Sequence, residues 1–290
     1  MLIAISGRKQ SGKDTIGKII QYLTAKNEAI LDINMPDRDY WINISFEDYF
    51  KYNMLVHKWQ IKKFADKLKD IVCTILNCSR EQLEDREFKE TKLGEEWDKF
   101  KVVRTKITKF ERIDETFYFS TIEEANKFKL NNLNYDYFGE IEKVEMTPRL
   151  MLQLLGTECG REILHPDIWV NSLMAEYKSK LSSNNPVDDL DWEPRFIYPN
   201  WIITDTRFPN ELEAVKKREG ITIRVNRNFE GKWIDKQEWD LHTKGIVPHE
   251  SETALDDAEF DYVIDNNGTI SELIDKIRNI LIENKLIKNN

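Results

Sequence analysis

The chain has 290 residues, 40% hydrophobic and 33% charged, and it can bury a full core as one large domain or as a domain with an insertion. Its formal net charge of −9 at pH 7 argues against a surface that binds duplex nucleic acid, because phosphate backbones require a basic footprint. A local basic pocket for a small phosphorylated ligand is compatible with that charge, so we expect a small-molecule substrate and no nucleic-acid partner.

Cysteine, histidine and apolar patterning argue against further classes of protein. The three cysteines are an odd number without CxxC spacing, which fits neither a disulfide framework nor a zinc site, and the four histidines have no metal-binding spacing. No apolar run approaches the length of a membrane span, and the N-terminal run is too short for a signal peptide. We therefore expect no membrane partner and a cytoplasmic location.

A glycine-bounded loop near the N-terminus is the strongest motif. An apolar run over Leu2–Ile5 predicts a strand that stops at Gly7, and Gly12 and Lys13 follow after four residues. Apolar residues at helical spacing over 16–23 predict a helix next. In this context GxxxxGK binds phosphate, because glycines let backbone N–H groups converge on an anion, the helix N-terminus is positive and the lysine reaches the outer phosphates. A tight turn at a strand-to-helix junction is the alternative.

One position of this motif departs from the common pattern. The residue after the lysine is usually Ser or Thr, whose hydroxyl binds Mg²⁺, but here it is Asp14, followed by Thr15. The residues alone therefore leave open which group holds the metal.

The next segment predicts a strand, a helix and a charged stretch. Trp59–Phe64 has the composition of a strand, and apolar residues over 65–76 have helical spacing. Residues 79–92 are heavily charged, which is typical of a solvated helix face.

Residues 97–145 are predicted to form an insertion made of a β-hairpin and a helix. Val102–Phe110 and Thr116–Phe119 are rich in β-branched and aromatic residues, with acidic residues near the turn between them. Thr121 and Glu124 have the spacing of a capping box, which predicts a short helix.

A strong helix is predicted from Thr147 and Pro148 onward. Arg149, Gln153 and Thr157 recur every fourth residue, which places them on one face of an α-helix. Residues 182–189 have the composition of a loop.

The C-terminal part predicts three more strands and two helices. The strands are Trp201–Asp205, Ile221–Val225 and Tyr262–Ile264. The helix after the first of them has Pro209 in its first turn, Glu211 at its positive end and Gly220 as its stop. The last helix follows a capping box formed by Thr269 and Glu272.

About five short strands therefore alternate with helices. This alternation predicts an α/β fold with a parallel sheet and helices on both faces. In such a sheet ligands bind outside the carboxyl ends of the strands, where the glycine loop and Asp205 both fall.

Phosphoryl transfer needs an aligned donor and acceptor, a metal, and cations around the transferred group. Lys13 and the loop amides supply the donor side. Asp205 has the position of an acid that holds Mg²⁺, directly or through water. The alternative for Asp205 is a helix cap or a turn cap. Arg207 and Arg149 suit a phosphate because guanidinium donates two hydrogen bonds at once. Lys67 and Lys69 follow the second strand and could reach an acceptor phosphate, with a solvated role as the alternative.

Taken together, these segments resemble the bacteriophage deoxynucleoside monophosphate kinases, adenylate-kinase-like members of the P-loop kinases. Asp14, unusual by the general pattern, is what this family has at that position. The family usually has proline at the position of Lys67, which leaves the path of the acceptor-binding loop open. The matching segments span nearly the whole chain in order, with 97–145 least covered: Gly7–Thr15, Phe64–Lys69, Pro148–Thr157, Asp167–Trp169, Thr204–Glu211, His249–Glu252 and Val263–Gly268.

The resemblance implies transfer of the γ-phosphate of ATP to a deoxynucleoside monophosphate with Mg²⁺, in a homodimer and, for a viral chain, in the host cytoplasm. It implies that the ATP phosphates and the metal are served by Gly7, Ser11, Gly12, Lys13, Asp14 and Thr15, with Asp205 as a further metal residue and Asn266 near the adenine. It implies an acceptor side of Lys69, Arg149, Gln153, Gly156, Thr157 and Trp169, with Asp205, Arg207 and Glu211 at the centre. We expect catalytic roles for Lys13, Arg149, Asp205 and Arg207.

Two alternatives remain at this stage. Animal-type phosphomevalonate kinase has a similar glycine loop and a similar Asp-Thr-Arg segment, although the block over 149–157 fits the phage enzymes better. A non-enzymatic nucleotide-binding module is the other, and the arginine-bearing segments beyond the loop argue against it.

Overall fold

The computed structural model describes residues 1–51, 58–107, 112–132, 137–181, 196–227 and 253–289. The chain divides into two compact units, the first formed by residues 1–66 with 167–290 and the second by 67–166. Residues 97–145 fall within the second unit, and their status as an insertion in a single domain stays a prediction. The predicted loop at 182–189 and the segment His249–Glu252 lie outside the described residues.

Strands and helices occur throughout the described ranges. The strands are β1 (Leu2–Gly7), β2 (Trp59–Lys62), β3 (Lys99–Ile107), β4 (Arg112–Phe119), β5 (Tyr137–Phe138), β6 (Glu142–Val144), β7 (Lys180–Leu181), β8 (Phe196–Ile197), β9 (Asn200–Thr206), β10 (Ile221–Asn226) and β11 (Tyr262–Asp265). The helices are α1 (Lys13–Leu31), α2 (Arg38–Asn43), α3 (Phe46–Tyr49), α4 (Asp66–Leu76), α5 (Arg80–Glu84), α6 (Arg86–Lys89), α7 (Ile122–Asn132), α8 (Pro148–Leu154), α9 (Ile168–Met174), α10 (Pro209–Lys216) and α11 (Ile270–Glu283), with a 3₁₀ turn at Glu95–Trp97 and a π-helix at Leu155–Leu164.

The first unit is built on a five-stranded sheet in the order β11-β10-β1-β9-β2. All four strand pairs are parallel. This confirms the predicted parallel sheet of about five strands, in which the central strand continues into the glycine loop.

Side-chain alternation along β1 explains why helices cover both faces of this sheet. Ile3 and Ile5 belong to the core on one face, together with residues of α1 and α11. Leu2 and Ala4 point the other way, into a core formed with residues of α9 and α10. Since all four side chains are at most 1% exposed, β1 is apolar without interruption, as is typical of a parallel strand buried on both faces.

The second unit contains an antiparallel sheet. Strands β3 and β4 form a hairpin that pairs Phe100 with Phe119 and Ile107 with Arg112, and β5 and β6 both pair with β3. The predicted hairpin and helix are therefore confirmed, while residues 108–110 of the first predicted strand lie outside the described ranges. Four phenylalanine rings pack together with centroid separations of 4.7 to 5.8 Å: Phe117 and Phe119 of β4, Phe128 of α7 and Phe138 of β5.

The predicted helix starts are confirmed by their caps. Glu272 N–H donates to the Thr269 hydroxyl at the start of α11, and Leu150 N–H donates to the Thr147 hydroxyl at the start of α8. Within the described ranges, no helix combines the length and apolar character that crossing a bilayer requires.

The end of α10 differs in detail from the prediction. The helix ends at Lys216, and the left-handed residue beyond it is Glu219, with φ of 55°, rather than Gly220. Gly220 is needed for a different reason, because a Cβ there would lie 2.5 Å from Val215 Cγ1 and 2.9 Å from Leu2 Cβ. Glycine at position 220 therefore allows the chain after α10 to lie close against β1.

We expect Gly220→Ala to lower the free energy of unfolding by about 1–3 kcal/mol, because the added methyl overpacks a buried contact. The measurement is urea unfolding of the purified chain. Lys217→Ala, with a side chain that is 69% exposed at the same helix end, is the control and should change the value by at most about 0.5 kcal/mol. Equal stability of the two variants would contradict the packing argument.

Candidate active site

The glycine loop between β1 and α1 leaves no room for side chains at its glycines. A Cβ on Gly7 would lie 2.5 Å from both Ser11 Oγ and Val225 O, and one on Gly12 would lie 2.4 Å from Asn266 Nδ2. Gly12 also has φ of 102°, a conformation that L side chains rarely adopt. These two positions therefore require glycine, and the loop backbone forms an open cradle at the N-terminus of α1, where amides favour an anion.

Ser11 provides a test of whether this cradle fits a phosphate. The residue is 2% exposed, and its Oγ has no hydrogen-bond partner within the described part of the chain. A buried hydroxyl without a partner costs about 1–3 kcal/mol, and a phosphate oxygen or a metal-bound water would satisfy it. The segment after the edge strand β11 also holds the loop, because Asn266 Nδ2 donates to Ser11 O at 2.8 Å.

Lys13 lies folded over the loop. Its Nζ donates to Gly7 O and to Arg8 O, both at 2.7 Å. The ammonium group is thus placed at the mouth of the cradle, where the outer phosphates of a bound nucleotide are expected.

Asp14 begins α1 with two partners that the sequence analysis did not identify. Its Oδ1 accepts a hydrogen bond from Thr204 Oγ1 at 2.8 Å and lies 3.0 Å from Lys63 Nζ. Burial alone would raise the pKa of Asp14, but Thr204, Lys63 and the nearby Lys13 outweigh it and hold the pKa below its ordinary value. Asp14 is therefore an anion at neutral pH, while Thr15 follows it, partly exposed, in the first turn.

Asp205 lies at the carboxyl end of β9 and clamps the turn that follows β2. Its Oδ1 accepts the N–H of Phe64 at 2.8 Å, and its Oδ2 accepts the N–H of Ala65 at 3.0 Å. Burial raises the pKa of Asp205, against the opposing effect of these two bonds and of Arg207 and Lys63. The visible contacts are those of a turn cap, the alternative considered above, and a role in metal binding stays a prediction.

Glu211 is buried and organises the backbone after Asp205. It is 2% exposed, and its Oε2 accepts the N–H groups of Arg207 at 2.8 Å and Phe208 at 3.2 Å. Trp169 is also buried, at 6% exposure on α9 of the same unit. The structure thus places Asp205, Arg207, Glu211 and Trp169 with the glycine loop in the first unit.

A further cluster beside the loop was missed by the sequence analysis. Asp256 accepts from Arg8 Nη2 at 3.1 Å and from Arg224 Nη2 at 2.7 Å, and Arg224 Nη1 donates to Ser6 Oγ at 3.1 Å. Arg224 is the one charged residue of β10, and this was the local signal that could have identified it. Its register partner across the strand pair is Ser6, and this pairing requires the sheet order to be known.

The other predicted acceptor residues lie in the second unit. Arg149 Nε pairs with Glu90, Gln153 is exposed, and Gly156 is buried with space for only a hydrogen, because a Cβ would lie 2.9 Å from Leu68 Cδ2. Lys69 pairs with Glu84 and has a side chain that is 15% exposed. Lys67 is exposed.

The helix that carries Arg149, Gln153 and Thr157 changes type along its length. The α-helix ends at Leu154, and Thr157 lies in the π-helix that continues to Leu164. A π-helix bonds i to i+5, so the segment after Leu154 is wider than the predicted α-helix, and the common face of the three residues stays a prediction. Such segments are frequent at functional sites.

We expect Thr204→Val to raise the pKa of Asp14 toward the ordinary carboxyl value, because it removes the hydrogen bond that favours the anion. The stabilisation that this carboxylate gives the fold is present above pH about 4 and is lost as the pH falls through its lower folded-state pKa, so the variant should lose it at a higher pH. Carboxyl ¹³C NMR titration measures the shift.

Asp48 is the matched control for this titration. Its pKa is held low by Lys51 and Ser45, away from Thr204, and should not move. An unchanged pKa of Asp14 in Thr204→Val would contradict the prediction and show that Lys63 and Lys13, without Thr204, hold the pKa low against burial.

Comparison with known proteins places the chain in one family. The family model described as deoxynucleotide monophosphate kinase matches residues 54–277, a stretch that begins after the glycine loop. The deoxynucleoside-5'-monophosphate kinase of Escherichia phage T5 is 26% identical over 229 residues, which cover 75% of this chain and 72% of that protein.

Two deoxynucleotide monophosphate kinases of other phages give the same result over shorter stretches. The protein of Escherichia phage RB69 is 26% identical over 158 residues (54% of this chain, 50% of that protein), and that of Enterobacteria phage T4 is 26% identical over 159 residues (55% of each). The alignments therefore span about half the length of these two relatives. The resemblance seen in the sequence is confirmed, and the chain belongs to the deoxynucleotide monophosphate kinase family.

Proposed function

We propose that this chain transfers the γ-phosphate of ATP to a deoxynucleoside 5'-monophosphate, giving the deoxynucleoside diphosphate and ADP. The observation that carries the proposal is the loop cradle, where glycine is required at positions 7 and 12 and a buried hydroxyl of Ser11 has no partner among the described residues. Membership of a kinase family supports the reaction type.

On the donor side, the loop amides and Lys13 bind the phosphates of ATP, and Asn266 lies toward the adenine. Mg²⁺, when bound, neutralises charge on the transferred group, and we assign Asp14, Thr15 and Asp205 to it, directly or through water. The anionic state of Asp14 at neutral pH suits this role, because Mg²⁺ prefers oxygen ligands that carry charge.

On the acceptor side, we assign substrate binding to the residues that the family resemblance implies. Arginine suits this task because it donates paired hydrogen bonds to phosphate and keeps its charge at any working pH. The assigned residues are Lys69, Arg149, Gln153, Gly156, Thr157, Trp169, Asp205, Arg207 and Glu211. Catalytic roles fall to Lys13, Arg149, Asp205 and Arg207.

Other functions are less well supported. The family does not favour phosphomevalonate as acceptor or a non-catalytic module. A homodimer and a cytoplasmic location stay predictions, and light scattering of the purified chain tests the first.

The activity is tested by ADP release with ATP, Mg²⁺ and each of the four common deoxynucleoside monophosphates, with phosphomevalonate as the competing acceptor. We expect turnover with at least one nucleotide and none with phosphomevalonate. Release only with phosphomevalonate, or no acceptor-dependent release at all, would overturn the proposal. The panel also reports which bases are accepted, since base selectivity depends on hydrogen bonds in the acceptor pocket.

We expect Lys13→Met to reduce turnover by about 10²-fold or more, because it removes a cation from the migrating phosphoryl group. Lys18→Met is the control on the same helix, since the Lys18 ammonium lies 5.6 Å from the Phe50 ring rather than over the loop. A mild effect of Lys13→Met, similar to that of Lys18→Met, would count against the loop assignment.

We expect Asp205→Asn to lower turnover and to raise the Mg²⁺ concentration needed for half-maximal rate, because the amide keeps the size of the group but loses its charge. Titration of the rate with Mg²⁺ at saturating ATP measures this. If the rate falls while the Mg²⁺ requirement is unchanged, Asp205 acts through the turn at Phe64 and Ala65 and is not a metal residue.

A further inference from the structure

A network of charged side chains in the second unit contains a lysine that neither the motif analysis nor the proposed function uses. Lys89, at the end of α6, has a side chain that is 17% exposed, and its Nζ lies 3.3 Å from Glu84 Oε2. Lys69, with 15% exposure, binds the other carboxylate oxygen of Glu84. Two largely buried lysines therefore converge on one carboxylate.

Further ion pairs surround Glu84 and the two lysines. Arg80 also lies 3.7 Å from Glu84 and 3.3 Å from Asp70, and Arg149 pairs with Glu90. Among the described residues, these ion pairs thus join four cations to three carboxylates. Glu84 is thus contacted by three cations, and Lys89 Nζ also donates to Glu84 O at 3.3 Å.

The electrostatics of the two central groups agree with this count. Burial lowers the pKa of Lys89, Glu84 acts against that shift, and the charges of Lys69 and Arg149 add to it. Burial alone would raise the pKa of Glu84, but Lys69 and Lys89 outweigh it and bring the pKa to about 2. Glu84 is thus ionised at neutral pH and holds both ammonium groups in place.

A kinase that joins a triphosphate donor to a monophosphate acceptor needs two phosphate sites. The glycine loop of the first unit supplies one. A phosphate monoester carries a charge of about −1.5 to −2 at neutral pH, which the cations gathered around Glu84 would attract.

We infer that Lys89, with Lys69 and Arg149, binds the 5'-phosphate of the acceptor nucleotide, and that Glu84 positions the two lysines for it. This inference rests on the proposed function, because it names the residues that hold the acceptor. The role of Lys89 is new, because Lys69 and Arg149 are already assigned to the acceptor side.

The test compares Lys89→Met, Lys89→Arg and the wild type for binding of an accepted deoxynucleoside monophosphate and of the same deoxynucleoside without phosphate. We expect Lys89→Met to weaken nucleotide binding about 10-fold or more, as for one lost hydrogen bond to a charged group, and to leave deoxynucleoside binding and the KM for ATP within about two-fold. Lys89→Arg should recover most of the affinity, because it keeps the charge. Lys92→Met, in the same unit with 68% exposure, is the control and should match the wild type.

The outcomes separate this inference from the proposed function. If the wild type phosphorylates the nucleotide and Lys89→Met binds it normally, the inference alone is overturned. If the wild type binds the nucleotide through Lys89 without phosphorylating it, the proposed function alone fails. Equal weakening of nucleotide and deoxynucleoside binding would show that Lys89 acts only in folding, and would overturn the inference.

A second measurement uses the wild type, in case Lys89→Met does not fold. The nucleotide should slow acetylation of Lys89, measured by mass spectrometry, while the deoxynucleoside should not, and Lys92 should react equally in all samples. Equal acetylation of Lys89 with nucleotide and with deoxynucleoside would overturn the inference.

Discussion

The burial of β1 on both faces is the constraint on which the first unit depends. Ile3 and Ile5 anchor one core and Leu2 and Ala4 the other, so the strand cannot slip by one residue without exchanging its faces. Because β1 lies between β9 and β10 and runs directly into the glycine loop, fixing its register fixes the loop against the ends of both neighbours. The site is thus positioned by apolar packing.

Polar contacts over long sequence distances then define the details of the site. Asp14 meets Thr204, Asp205 meets the amides of Phe64 and Ala65, and Asn266 meets the backbone of Ser11. Each joins the carboxyl end of one strand to the loop after another. Hydrogen bonds that involve a carboxylate contribute about 1.5–3 kcal/mol, enough to select one loop conformation but small beside the burial of the sheet. The apolar packing of the sheet therefore provides most of the stability, while the loops at the strand ends carry the candidate functional residues.

In the second unit, ion pairs surround the candidate residues Lys69, Lys89 and Arg149. Residues 79–92 are mostly solvent-exposed, as their composition predicted, yet Lys89 is turned inward toward Glu84 and Lys69. In the same unit the α-helix that carries Arg149 changes to a π-helix after Leu154. Both features depend on how neighbouring segments pack.

The sequence by itself determined the elements whose signals are local. The strand, glycine loop and helix at the N-terminus, the caps at Thr147 and Thr269, the hairpin and the parallel sheet all follow from periodicity and turn chemistry. Asp14 and the block over 149–157 identified the family. Only the tertiary structure decided that Thr204 and Lys63 hold Asp14, that Arg224 and Asp256 flank the loop, and that Lys89 joins Lys69. The contact between Asp14 and Thr204, for example, joins residues 190 positions apart. No local pattern encodes them, because they arise only when segments that are separate in the sequence pack against one another.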